Sequence, residues 1–347
     1  MNRREFLKLS GAGILAVALG RFNLAEAKTF SLKIDFHAHA ILPSYIEGLK
    51  KLKIDAQAEE GFPLPKWTAD EHLKFMADAG IDFTILSMAT PHIYNGAANE
   101  KISIEIAREI NEELAALCKK FPDKFGFVAV LPMPSVESSI AEIKYATEKL
   151  GALGVKVASN SDGVYLGDEI LNPIFEELHK RKSLVILHPS PARMLPREKV
   201  VTGKVMALFE YPADTTRAIL NLLANGTLEK FSNIKLIVPH CGSFLPYMKQ
   251  RAGAMFQMLA SMDLMPPVNF SAGLKNLYFD LAGDPMPEQM DILLKITSAE
   301  KIIYGSDYPY VPVPILLKKK QALDSELAKR NWLEKIYINN AKKILEA

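Results

Sequence analysis

The segment KIDFHAH, residues Lys33–His39, begins an alternation of apolar and amphipathic segments that continues to the end of the chain. The segment itself predicts a short buried strand that ends in two histidines. Residues i and i+2 of a strand point to the same side. We therefore expect the imidazoles of His37 and His39 to project together and to form half of a metal site.

Apolar segments that resemble this first one recur along the chain. Most are continuous Val/Ile/Leu runs, which is typical of parallel strands covered on both faces. The eight predicted strands are Lys33–His39, Asp82–Met88, Phe125–Pro132, Gly154–Ser159, Leu184–Pro189, Ile234–His240, Leu277–Leu281 and Lys301–Ser306. Helical patterns separate them, so the chain is predicted to form a single-domain α/β fold, a (β/α)8 TIM barrel. A doubly wound open sheet is the alternative, and the lack of a glycine-rich fingerprint after the first strand disfavours it.

The composition is that of an ordinary globular enzyme. Of the 347 residues, 49% are hydrophobic and 24% are charged, and the formal net charge is +2. This charge, without a Lys/Arg stripe interleaved with aromatic residues, argues against a nucleic-acid partner. The two cysteines, Cys118 and Cys241, form no CxxC pair and are weak evidence for a disulfide.

The first 27 residues contain the three parts of an export signal. Arg3 and Arg4 precede Phe-Leu-Lys, an apolar run extends from Gly11 to Leu19, and Ala25-Glu26-Ala27 is a small-x-small cleavage site. The pattern predicts a twin-arginine signal peptide followed by a mature domain at residues 28–347. An uncleaved membrane anchor is the alternative. We expect the twin-arginine translocation machinery as a partner during export, and a periplasmic or other extracytoplasmic location.

Chemically active side chains of such a barrel lie where its strands end. The residues at or just after the predicted strand ends are His37 and His39 for strand one, His188 for strand five, His240 for strand six and Asp307 for strand eight. Four of the seven histidines of the chain thus fall at corresponding positions, together with one carboxylate. This predicts a metal centre at the carboxyl ends of the strands. Histidine and carboxylate ligands suit Zn²⁺, with Mn²⁺ or Fe²⁺ as alternatives.

Other features near the strand ends leave two interpretations open. Asp35 could orient a ligand histidine from behind, or it could be a polar residue that fills the barrel floor. The long connection of residues 41–66 could be a lid or surface decoration. His92 follows strand two and could reach the barrel mouth. His72 and His179 fall in helical patterns, where we expect them to be exposed.

Taken together, these motifs resemble the amidohydrolase superfamily. The resemblance spans residues 33–347 and is carried by His-x-His on strand one, the histidines of strands five and six, and Gly-Ser-Asp-Tyr-Pro at residues 305–309. Within the superfamily, the chain resembles the amidohydrolase-related metal-dependent decarboxylases typified by aminocarboxymuconate semialdehyde decarboxylase. Its Asp-Thr-Thr-Arg stretch, Asp214–Arg217, is similar to that of fungal-type 6-methylsalicylate decarboxylases.

The resemblance implies a ligand set and two catalytic groups. One divalent metal ion would be held by His37, His39, His188 and Asp307. His240 would stand beside the metal as an acid–base group, and Asp307 would also handle a proton.

Three further residues take their interpretation from the same resemblance. Arg251 matches a position whose arginine in some relatives reaches a neighbouring subunit's site to bind substrate, which implies a homodimer; a helix-surface salt bridge is the alternative. Cys241 replaces a glycine common in relatives, and we do not expect it to be a nucleophile. Lys156 lies on strand four, where relatives with two metals carry a carboxylated lysine, but it is short of the strand end.

The implied activity is non-oxidative decarboxylation of a small aromatic or unsaturated carboxylic acid. The metal would bind the carboxylate, and His240 or Asp307 would deliver a proton to the carbon that loses CO2. The same ligands serve hydrolases of small esters, lactones or amides, so a hydrolase is the alternative. An exported binding protein with a degenerate barrel is a further alternative, which the intact ligand set disfavours.

Overall fold

A computed structural model of the protein describes residues 31–192 and 205–346. The proposed signal peptide, residues 1–27, lies outside these ranges, and its assignment stays a prediction. Within the described ranges, no helix combines the length and the apolar character that a membrane crossing requires.

Eight parallel strands form the barrel that the sequence predicts. They follow chain order around one sheet, and each strand pairs with the next. The strands are β1 (Ile34–Ala40), β2 (Phe83–Met88), β3 (Phe125–Val130), β4 (Gly154–Ala158), β5 (Leu184–His188), β6 (Lys235–Val238), β7 (Tyr278–Asp280) and β8 (Ile302–Ile303). The His39 N–H donates a hydrogen bond of 2.7 Å to the Tyr308 carbonyl, which joins the segment after β8 to β1. The (β/α)8 barrel is thereby confirmed.

Helices cover the outside of the barrel between successive strands. The ends of the third helix follow from its sequence: the Thr68 side chain accepts the Glu71 N–H at its start, and Gly80 ends it with a φ of 63°. The α-helices are α1 (Pro43–Lys51), α2 (Ala56–Glu60), α3 (Ala69–Ala79), α4 (Glu100–Lys120), α5 (Val136–Tyr145), α6 (Asn172–Lys180), α7 (Glu210–Ala224), α8 (Thr227–Lys230), α9 (Leu245–Ser261), α10 (Phe270–Lys275), α11 (Gln289–Leu293), α12 (Val313–Lys329) and α13 (Asn340–Glu346).

The strands that precede His240 and Asp307 end earlier than the sequence predicts. β6 ends at Val238 rather than at His240, because Pro239 has no N–H to donate and residues 240–243 all have positive φ values. β8 ends at Ile303 rather than at Ser306. In both places the chain leaves the sheet early, and the functional side chains lie on the turns that follow.

The interior of the barrel is filled below these turns. One buried apolar cluster takes side chains from six of the strands and includes Phe36, Ile85, Val128, Ile186, Ile237 and Ile303. Ala341 and Ile344 of α13 pack against the same cluster. Because side chains from six strands fill this part of the barrel, the interior is a packed core and not a pore. A site can therefore open only at the other end of the barrel, where the strands end.

The expected exposure of His72 is wrong. Its side chain is fully buried, Trp67 Nε1 donates to its Nδ1 over 3.1 Å, and its ring centroid lies 4.7 Å from that of Tyr308. Burial lowers the pKa of His72 to about 3, so the ring is neutral. The imidazole therefore belongs to the apolar face of α3, beside Phe75. His179, by contrast, is partly exposed and accepts the Asn233 N–H.

The Asp-Thr-Thr-Arg stretch joins α7 to the loop after β4. The buried carboxylate of Asp214 accepts hydrogen bonds from the hydroxyls of Ser159 and Tyr165 and from the side-chain amide of Asn160. Arg217 donates to the same carboxylate over 2.6 Å. Residues 160–165 form a small antiparallel hairpin there. In this structure the stretch therefore holds two surface elements together beside the barrel mouth.

Candidate metal centre

Four of the predicted site residues meet at the carboxyl end of the barrel. One ligand atom from each of His37, His39, His188 and Asp307 lies within 4.8 Å of the other three. The histidines are buried, whereas the Asp307 side chain is 18% exposed and reaches the cavity above them. The set could hold one metal ion, and its composition is that of known divalent sites.

A bulge in β1 positions the first two histidines. The pairing of β1 with β2 shifts register between Asp35 and Ala38, which places His37 inside the irregularity. Bulges re-aim side chains, and here the two imidazole centroids lie 5.1 Å apart. Asp35 accepts the N–H groups of His37 and Ser306 over 3.0 and 3.1 Å. Burial raises the pKa of Asp35 to about 6. Asp35 thus holds backbone together and does not orient an imidazole.

The segment after β8 carries Asp307 against β1. Gly305 allows this close approach, because a Cβ at that position would lie only 2.6 Å from the His37 Cβ. The N–H groups of Ser306 and Asp307 both donate to the His37 carbonyl, over 3.1 and 2.7 Å. Asp307 itself has a φ of 62°, which a non-glycine residue adopts only under constraint.

All three ligand histidines have their Nδ1 atom engaged by the protein. The partners of His37, His39 and His188 are, in that order, Asp280 Oδ2 at 2.8 Å, the Met88 carbonyl at 3.2 Å and the Pro189 carbonyl at 3.1 Å. Carbonyl oxygens only accept, so Nδ1 carries the hydrogen and Nε2 keeps its lone pair. His37 Nε2 is buried and lies 3.4 Å from Asp307 Oδ1, but makes no hydrogen bond within the described part of the chain. Nε2 of His37 and Oδ1 of Asp307 thus lie side by side without a hydrogen bond between them, an arrangement that suits a shared metal ion.

Asp280, at the end of β7, is a site residue that the sequence reasoning missed. Its Oδ2 accepts from His37, and its Oδ1 accepts the N–H groups of His240 and Ala282 over 2.9 and 3.0 Å. The side chain is fully buried. The signal was available, because an aspartate stands near the end of predicted strand seven, Leu277–Leu281, as the other site residues do on their strands.

Charge at the centre is arranged to balance a cation. Burial disfavours a charge on His37, yet Asp280 and Asp307 raise its pKa to about 10. Burial lowers the pKa of His39 to about 4 and that of His188 well below its ordinary value. Burial opposes ionisation of Asp307 too, but the adjacent imidazoles of His240, His37 and His39 hold its pKa well below the usual range. His39 and His188 are therefore neutral, whereas His37 carries a proton that a divalent ion would displace on binding, because a ligand imidazole must be neutral.

His240 stands at the edge of this cluster. Its Nε2 lies 3.6 Å from Asp307 Oδ2, and both side chains line the cavity. The backbone of His240 has a φ of 55°, and the next three residues are also in the left-handed region. Backbone constraint of this kind concentrates at functional sites.

Cys241 lies in the same turn, and the structure gives it no role as a nucleophile. Burial raises the pKa of its thiol, so the thiolate form is disfavoured. Its sulfur lies 3.9 Å from the Ala282 carbonyl. Cys118 and Cys241 are both free thiols, so the chain contains no disulfide.

A cavity of about 580 Å³ opens beside the cluster. Histidines 188 and 240 and Asp307 form part of its wall. The long first connection contributes to the wall as well, through Glu60 at the end of α2 and Phe62 beyond it. Its aromatic lining consists of Phe62, Tyr211, Phe244, Tyr247 and Tyr310. Size and lining suit a small, ring-shaped organic molecule.

The remaining predicted residues lie away from the ligand atoms. Arg251 is exposed on α9 and does not line the cavity of this subunit, so its role at a neighbouring subunit stays a prediction. Lys156 is buried on β4, where its amine donates to the carbonyls of Met88 and Ala89. Burial lowers the pKa of Lys156 to about 7. The ring centroid of His92 lies 6.4 Å from that of His188.

The fold and the site are those of the amidohydrolase family. The chain belongs to this family, because the amidohydrolase family model matches residues 34–346. Among its relatives is the decarboxylase yanB of Aspergillus niger, 31% identical over 87% of this chain and 84% of that protein. Another is the 6-methylsalicylic acid decarboxylase acuB of Aspergillus aculeatus, 28% identical over 86% of this chain and 90% of that protein. A crystal structure of an amidohydrolase II protein has a TM-score of 0.81 and 33% identity, and covers 91% of this chain and 100% of that chain. The resemblance that the motifs indicated is confirmed.

Proposed function

We propose that this protein is a metal-dependent carboxy-lyase that decarboxylates small aromatic carboxylic acids. The observation that carries the proposal is the cluster of His37, His39, His188 and Asp307 at the wall of an aromatic-lined cavity. The names of the two fungal relatives support the reaction type and the substrate class.

The cofactor we propose is one divalent ion held by these four residues, Zn²⁺ first and Mn²⁺ or Fe²⁺ as alternatives. When bound, the ion supplies positive charge that fixes and polarises the substrate carboxylate. The His37 Nε2 atom, which has no hydrogen bond, and the engaged Nδ1 atoms of the three rings support this assignment. Two backbone carbonyls already occupy the amine of Lys156, which favours a single ion over a bridged pair.

His240 and Asp307 are the groups we assign to proton transfer. Decarboxylation breaks the bond between the ring carbon and the carboxylate, and the electron pair left on that carbon takes up a proton as CO2 departs. The two side chains face each other across 3.6 Å and both reach the cavity. Asp280 holds the backbone N–H of His240, so the imidazole is presented from a constrained turn.

An assay of product identity tests the function. The purified protein is loaded in turn with Zn²⁺, Mn²⁺ and Fe²⁺ and incubated with 6-methylsalicylate, other salicylates and small lactones. We expect CO2 release from at least one aromatic acid, and loss of that activity after chelation. Hydrolysis of lactones without CO2 release would replace the decarboxylase by the hydrolase alternative. Inertness of every metal-loaded form towards all of these compounds would contradict both.

We also propose that the protein is exported by the twin-arginine pathway. Replacing Arg3 and Arg4 together by lysine is expected to keep the protein out of the periplasm, since the paired guanidinium groups are the recognised feature of the signal. Fractionation and immunoblotting of a bacterial host measure this. Arg21→Lys is the matched control and should be exported normally. Unchanged periplasmic protein in the double variant would count against the pathway.

A homodimer in which Arg251 reaches the partner's substrate is the quaternary arrangement we propose. The position of α9 supports this arrangement. Pro246 and Tyr247 at the start of the helix line the cavity, and Arg251 lies one turn further along the helix. Tyr247 is 86% exposed and Met258 is 46% exposed, which leaves apolar surface on this helix to be covered. Sedimentation velocity tests the arrangement, and a monomer at micromolar concentration would contradict it.

A further inference from the structure

Glu60 is a buried carboxyl group on the cavity wall. It ends α2 in the long connection after β1, and only 1% of its surface is exposed. Its Oε1 accepts a hydrogen bond from the Tyr211 hydroxyl. Its Oε2 is buried and has no hydrogen-bond partner within the ranges 31–192 and 205–346. A buried carboxyl oxygen without a donor is costly, and the cavity is the place from which a donor can come.

The neighbouring hydroxyl hydrogens are already committed elsewhere. Tyr211 donates its hydrogen to Oε1 of Glu60. The Thr90 hydroxyl donates to Tyr310 over 3.2 Å, and the Tyr310 hydroxyl donates to the Thr90 carbonyl over 3.0 Å. Each of these hydroxyls carries one hydrogen, so this set leaves Oε2 of Glu60 as a free acceptor.

Two aromatic residues of the cavity wall near Glu60 also lie beside the ligand histidines. The Tyr211 ring centroid lies 6.2 Å from that of His188, and the Tyr310 ring centroid lies 5.2 Å from that of His39. Glu60, Tyr211, Tyr310 and His188 all line the same cavity. A molecule whose carboxylate sits at the ligand cluster therefore shares its cavity with Glu60.

We propose that Glu60 determines substrate specificity: its Oε2 accepts a hydrogen bond from a hydroxyl or amino substituent on the ring of the aromatic acid. That the ligand is an aromatic acid rests on the proposed function. That its ring carries a hydrogen-bond donor rests on Glu60.

Two kinds of ring substituent are rejected by the same geometry. A methoxy group has lone pairs but no hydrogen to donate, so it leaves Oε2 unpaired and brings two acceptors together. A second carboxylate would meet the negative charge of Glu60 in a place with little water. Burial raises the pKa of Glu60 to about 7, against the lowering effect of the hydrogen bond from Tyr211, so the carboxylate form prevails at pH 8.5.

The test compares pairs of acids that differ only by hydroxyl against methoxy at one ring position. At pH 8.5, the wild-type protein should prefer the hydroxy acid by about ten-fold or more in kcat/KM at the position that faces Glu60. Glu60→Gln should abolish or reverse that preference, because Tyr211 keeps the amide oxygen and the amide NH2 then faces the cavity. Glu59→Gln, an exposed neighbour, is the matched control and should keep it. Tyr211→Phe, which frees Glu60 from its anchor, should reduce it.

Calorimetric binding of resorcinol and 3-methoxyphenol to the same proteins provides a readout without turnover. Wild type should bind resorcinol more tightly, and Glu60→Gln should lose that preference. If no acid is decarboxylated but Glu60→Gln loses the preference for resorcinol, the proposed decarboxylase function is wrong and the role of Glu60 is supported. If acids are decarboxylated but Glu60→Gln and wild type show equal preferences in both measurements, the role of Glu60 is overturned.

Discussion

The Asp307→Asn protein is expected to lose decarboxylation by ~1000-fold or more in kcat. Asp307 contributes a carboxylate oxygen 3.2 Å from His39 Nε2 and another 3.6 Å from His240 Nε2. It thus belongs to the proposed ligand set and to the proposed proton-transfer pair at once. An amide of the same shape has neither the negative charge that binds a cation nor an oxygen that can carry and release a proton.

The decisive measurement is single-turnover CO2 release at saturating metal. Metal content is determined in parallel, so that lost affinity and lost chemistry are separated. Asp123→Asn, an exposed aspartate far from the site in sequence, is the matched control and should match wild type. Circular dichroism verifies folding of both variants. A metal-saturated Asp307→Asn protein within about ten-fold of wild type would remove Asp307 from the chemistry.

The fold and most of the cluster could be predicted because both depend on local periodicity. Eight apolar runs separated by helical patterns specify where strands end, and a parallel barrel brings all those ends to one face. His37, His39, His188, His240 and Asp307 could therefore be placed near one another before any distance was known. The same reasoning could have predicted Asp280 as a site residue, since it lies near the end of predicted strand seven.

Other parts of the site depend on contacts that no period encodes. Glu60 lies in the long connection after β1, and Tyr211 lies in the first turn of α7, far away in the sequence. No periodic pattern relates one to the other, although they share a hydrogen bond. Their approach is set by how the connection folds over the barrel mouth. The exposure predicted for His72 was wrong for a related reason, because a histidine is counted as polar in a helical pattern. Here the ring is neutral, accepts a hydrogen bond from Trp67 and packs like an aromatic residue.

Asp280→Asn is expected to weaken metal binding by about 10- to 100-fold. Asp280 accepts three hydrogen bonds, from His37 Nδ1 and from the N–H groups of His240 and Ala282. Asparagine has one acceptor oxygen and an NH2 group. If the oxygen keeps the two backbone N–H groups, the NH2 faces His37 Nδ1 and favours the tautomer whose hydrogen is on Nε2. That nitrogen then cannot donate its lone pair to a metal ion.

Competition with a chromogenic chelator measures this change as a ratio of dissociation constants. Asp284→Asn is the matched control, because that carboxylate pairs with Lys319 over 2.7 Å and touches no proposed ligand. His39→Ala should lose the metal altogether and calibrates the scale. An Asp280→Asn protein with wild-type metal affinity would show that His37 is oriented without Asp280. In that case the bulge in β1 and the backbone contacts of Asp35 would have to fix the imidazole by themselves.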